Sequence, residues 1–68
     1  MQTVSDAYIL GIKEGRSTLS NNPDFTLSDM QACFEQCKRL ALSHSQPMKD
    51  VFKGESDFWL NQIKKANQ

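Results

Sequence analysis

Residues 47–66, PMKDVFKGESDFWLNQIKKA, decide the fold, because one apolar stripe keeps helical phase through them from end to end. At roughly 100° per residue, Met48, Val51, Phe52, Phe58, Trp59, Ile63 and Ala66 fall on one face, with Lys49, Lys53, Asp57, Asn61 and Lys64 behind them. A helix of about 20 residues is roughly 30 Å long, the width of a small domain. The rest of the chain is expected to cover that face. Gly54 interrupts the pattern, and KGES also reads as a stop followed by a serine cap at Ser56. The continuous reading is preferred, since Phe58, Trp59 and Ile63 resume the phase set by Met48, Val51 and Phe52.

Moving upstream, Pro47 suits the first position of a helix, where its missing N–H would be unpaired anyway. The short link before it makes the preceding helix an antiparallel neighbour, a helical hairpin. That second helix, about 27–44, places Leu27, Met30, Cys33, Phe34, Cys37, Leu40, Ala41 and His44 on one face. Its start offers two caps, Thr26 with Asp29 and Ser28 with Gln31, and Phe25 just outside can staple the turn.

Earlier still, the run SNNPDF at Ser20–Phe25 is a turn whose proline denies helical geometry to the residue before it. The first helix spans about 5–19, capped by Thr3 or Ser5, with Met1–Thr3 frayed ahead of it. Val4, Ala7, Tyr8, Gly11, Ile12, Gly15 and Leu19 share a side. Each glycine costs a helix interior about 1 kcal/mol relative to alanine, so Gly11 and Gly15 call for close approach by another helix or by a large ring such as Trp59. Ile9, Leu10, Phe25, Leu42 and Leu60 lie off the main faces, more apolar surface than one small core absorbs. At the far end Lys64 and Lys65 complement the helix dipole, while Asn67 and Gln68 fray.

The expected fold is all-α: three helices at about 5–19, 27–44 and 47–66, the last two a hairpin, in a single domain over residues 1–68. A chain of 68 residues makes a marginal core, which favours a packed or intertwined homodimer. Lys+Arg and Asp+Glu both number 8, so no general attraction to nucleic acid or anionic membrane follows. Cys33 and Cys37, one turn apart in an apolar pattern, read as reduced core thiols in a cytoplasmic setting. MQTVSDAYILGIKEG has no basic lead and no long apolar run, so neither a secretory signal nor a membrane span is expected in it.

Chemistry-bearing motifs are sparse. Cys33, Cys37 and His44 share a face, but C-x3-C-x6-H on one helix is not a usual zinc spacing and has no evident fourth ligand, so packed thiols with a rim histidine are the simpler reading. A cysteine nucleophile with His44 as base would have its partners two turns apart. No catalytic residue, metal or cofactor is assigned. Glu55 and Gln62 fall near the middle of the stripe of the last helix, where they form a polar rim or face a dimer seam. The candidate interface is Tyr8, Gly11, Gly15, Phe52, Glu55, Phe58, Trp59, Gln62 and Ile63. A helix-turn-helix DNA reader is the alternative, weakened by the mixed charges on the outer face of the last helix.

SDAYILGIKEGR at Ser5–Arg16 and DVFKGESDFWLNQ at Asp50–Gln62, with an amphipathic helix between them, resemble the short early-region proteins encoded between the recombination and excision genes of lambda-like temperate phages. The likeness covers most of the chain. It implies a small non-enzymatic helical protein, made early, that promotes lytic development by contacting a host bacterial protein in the host cytoplasm. No family site residues carry over.

Overall fold

Ser5 settles where the first helix begins. Its backbone is extended (φ −71°, ψ 156°), and the Tyr8 N–H donates to its hydroxyl at 3.1 Å, satisfying one of the open donors of the first turn. In the computed structural model, which describes residues 5–67, α1 spans Asp6–Asn21, α2 Leu27–Ser43 and α3 Met48–Ala66. The alternative cap Thr3, the face position Val4, and the ends Met1–Thr3 and Gln68 lie outside the described residues. The architecture is all-α, and α2 and α3 form the expected hairpin.

The helix ends have local causes. α1 runs two residues beyond Leu19 because Asn22 closes it twice, its N–H donating to Leu19 O at 3.1 Å and its side-chain amide to Thr18 O at 2.7 Å, before Pro23 ends the run. Of the two caps offered to α2, the chain uses Thr26 with Asp29. The Asp29 N–H donates to Thr26 Oγ1 at 3.2 Å, and the Thr26 N–H donates back to Asp29 Oδ2 at 3.0 Å. At the other end the chain turns extended at His44, so α2 stops at Ser43, whose hydroxyl donates to Leu40 O at 3.2 Å. Pro47 stands at the cap of α3 rather than inside its first turn, and the Lys49 N–H donates to Ser45 O at 3.0 Å.

α3 runs unbroken through Gly54 and is the shared centre: α1 and α2 each pack on it, and among the described residues they make no backbone approach to each other. The partner pairs fix the directions. Ser5 meets Asp50 and Gly15 meets Phe58, so α1 runs parallel to α3; His44 meets Phe52 and Cys37 meets Glu55, so α2 runs antiparallel. Trp59, 2% exposed, is the centre of the core, flanked by buried Phe58 and Cys37. The Phe58 ring meets it edge-on at 5.1 Å between centroids, and Phe25 lies tilted against it at 5.6 Å. Ile12 and Leu19 from α1 and Met30, Cys33 and Phe34 from α2 complete the cluster. Phe25, expected among the surplus apolar residues, is thus a core residue held by the turn.

Candidate interaction surface

The nine residues expected at an interface divide along the internal seams of one chain. Gly11 and Gly15 are buried where α1 crosses α3, and Phe58 and Trp59 are core. These four are covered by the chain's own helices, because each belongs to the contact that lets α1 or α2 reach α3. Tyr8, Phe52, Glu55, Gln62 and Ile63 are half-buried.

The two glycines have different neighbours. A Cβ at Gly11 would stand 2.9 Å from the Glu55 amide nitrogen and closer still to Val51 O, so a helix backbone fills that space. At Gly15 the space holds a ring: a Cβ there would be 2.6 Å from Phe58 Cδ2. The large side chain against the small-residue ridge is therefore Phe58 at Gly15, and no ring enters at Gly11.

Two of the polar members, Tyr8 and Glu55, have partners inside the chain, and Gln62 lines the groove between α1 and α3. Tyr8 donates its hydroxyl to Asp57 Oδ2 at 2.5 Å, tying α1 to α3. The hydrogen bond to Asp57, then burial, then the carboxylate charge push the Tyr8 phenol up to about 12. Glu55 accepts a hydrogen bond from Cys37 Sγ at 3.2 Å, so its place on the stripe is explained by α2 rather than by a second subunit. Burial first, then that hydrogen bond, then the charges of Glu55 and Cys33 push the Cys37 thiol up to about 12. Burial chiefly, with Asp29 and Glu55, raises Cys33 as well. Thiols held protonated in this way are poor nucleophiles. His44 is exposed at the end of α2, its Nδ1 2.9 Å from Leu40 O and its ring 5.0 Å from that of Phe52. Among the described residues no three His, Cys, Asp or Glu side chains converge as a metal site, and no helix is long and apolar enough to cross a membrane.

What stays open lies on the other side of the hairpin. A groove of about 370 Å³ runs between α2 and α3, with Phe34, Ala41, Leu42 and Leu60 supplying apolar surface and Lys38, Lys49 and Lys53 standing around it. Leu42 is 75% exposed, the most open large apolar residue described. The Lys38 ammonium lies over the Phe34 ring, 5.9 Å from its centre. Asp57 is the acid at this groove, and it already accepts the Tyr8 hydroxyl. Off-face Leu42 and Leu60 were the sequence signal for this surface; the three lysines gave none, since their convergence depends on the α2–α3 register. A second groove between α1 and α3, about 380 Å³, is lined by both polar and apolar groups, among them Tyr8, Arg16, Asn61, Lys65, Ile12 and Leu19.

No family model, curated protein or solved structure matches the chain.

Proposed function

We propose that the chain is a non-enzymatic protein-interaction module that docks its partner in the groove between α2 and α3. One observation carries this reading: Leu42, 75% exposed, lines with Phe34, Ala41 and Leu60 one concave strip between two helices. Leaving a leucine this open forgoes about 1.5–3 kcal/mol of burial, which a bound partner would recover. The likeness of Ser5–Arg16 and Asp50–Gln62 to early-region proteins of temperate phages supports a host bacterial protein as that partner and lytic development as the outcome. Pairing of two copies belongs to the same reading, because a 68-residue core is marginal by itself.

Two measurements test it. The wild-type chain is expected to retain a defined protein from bacterial lysate that Leu42→Glu does not retain; equal retention by both would place docking elsewhere. Sedimentation at micromolar concentration is expected to give a dimer mass, and a monomer mass would overturn pairing.

A further inference from the structure

Resting on the docking reading of the α2–α3 groove, we infer that its occupant is an acidic amphipathic helix of a partner protein. The floor sets the first requirement. Phe34, Ala41, Leu42 and Leu60 present apolar atoms and no row of free backbone donors or acceptors, so a strand has no edge to extend, whereas the apolar ridge of a helix can lie between α2 and α3.

The length follows from the register. From Phe34 to Leu42 the groove extends over two turns of α2, about 12 Å at 1.5 Å per residue, the span of apolar anchors at i, i+4 and i+7 on an incoming helix.

The rim sets the sign of charge. Lys49 and Lys53 lie one turn apart on α3, and Lys38 faces them from α2. Like charges one turn apart repel, and an anionic partner relieves that repulsion. The chain carries 8 basic and 8 acidic residues, so this rim is a local concentration of positive charge rather than a property of the whole molecule. Asp57, the carboxylate in the groove lining, accepts the Tyr8 hydroxyl and keeps its charge, so the lining carries three cations against one anion. Duplex DNA would use the lysines but leave Leu42 and Phe34 without a role, and a concave strip suits a helix better than a flat lipid surface.

The test uses the full chain and a labelled helical peptide of about four turns, with leucines at i, i+4 and i+7 and glutamates on both flanks, beside a counterpart carrying glutamine for every glutamate. The glutamate peptide is expected to bind about tenfold tighter at low salt, with an advantage that shrinks as salt is added. The double substitution Lys49→Gln with Lys53→Gln should erase the advantage without lowering the melting temperature, and Leu42→Glu should weaken both peptides. Equal affinity for the two peptides would overturn the acidic class while leaving the groove as a docking site. Binding indifferent to Leu42→Glu would overturn the groove itself. Failure of both peptides to bind, or tighter binding of duplex DNA or of anionic phospholipid vesicles than of the glutamate peptide, would overturn the inference.

Discussion

Gly54 of α3 and Gly11 of α1 meet backbone to backbone: a Cβ on Gly54 would lie 3.3 Å from the Gly11 Cα and 3.0 Å from the Tyr8 carbonyl carbon, and closer still to Tyr8 O. The obstacle on both sides is helix backbone, which cannot rotate away as a side chain can.

Gly11→Ala and Gly54→Ala are therefore expected to destabilise the fold even though alanine is the better helix former by about 1 kcal/mol. Overpacking of this kind typically costs about 1–3 kcal/mol net of such gains, and about 1 kcal/mol lowers the melting temperature of a domain this size by roughly 4–8 °C. Gly15→Ala meets the Phe58 ring instead and should cost less than either. The measurement is the thermal melt of the three variants; equal stability of Gly11→Ala and wild type would mean that α1 does not cross α3 at this point.

The fate of Gly54 shows what the sequence could and could not reveal. The apolar period of α3 survives the glycine, so the helix itself was legible. The reason for a glycine there was not, because it lies in Tyr8 and Gly11, more than forty residues away along the chain. Glu55 follows the same pattern: it is out of place on an apolar stripe until antiparallel α2 sets the Cys37 thiol beside it. Leu42 and Leu60 stood out as surplus, but only the register of the hairpin brings them into one groove with three lysines. Local periodicity thus fixes the elements, and long-range register decides what each exception is for.

The tie between Tyr8 and Asp57 predicts a pH dependence. The folded phenol, at about 12, holds its proton more tightly than a free tyrosine at 10.0, so the stability it contributes is complete below pH 10 and lost as pH rises toward 12. Cys37, raised from 9.0 to about 12, adds a loss of the same sign that begins nearer pH 9. Melting temperature should fall through this range, and Tyr8→Phe should flatten the upper part. Because Tyr8 is the single tyrosine, its absorbance titration reads the group directly. A midpoint near 10 in the folded protein would contradict the hydrogen bond.

Thiol labelling separates the two cysteines. Cys37 is buried and hydrogen-bonded to Glu55, whereas Cys33 is half-exposed, so Cys33 should react first and Cys37 only as the chain unfolds. Simultaneous modification under native conditions would argue against the placement of α2 on α3.

Capping gives a local control. Thr26→Ala removes the acceptor used by the Asp29 N–H and should cost about 1 kcal/mol, while Ser28→Ala, which leaves the Thr26–Asp29 box intact, should stay within about 0.5 kcal/mol. A chemical denaturation curve for each variant distinguishes them. The reverse order would place the start of α2 two residues later.

The most direct test of the account pairs two readings on one variant, Leu42→Glu. A residue 75% exposed contributes little to the isolated fold, so the melting temperature should match wild type within the roughly 0.5 kcal/mol expected of a surface change, while binding of the acidic helical peptide is weakened. A lowered melting temperature, or a peptide affinity that does not change, would contradict the claim that this groove is the docking surface.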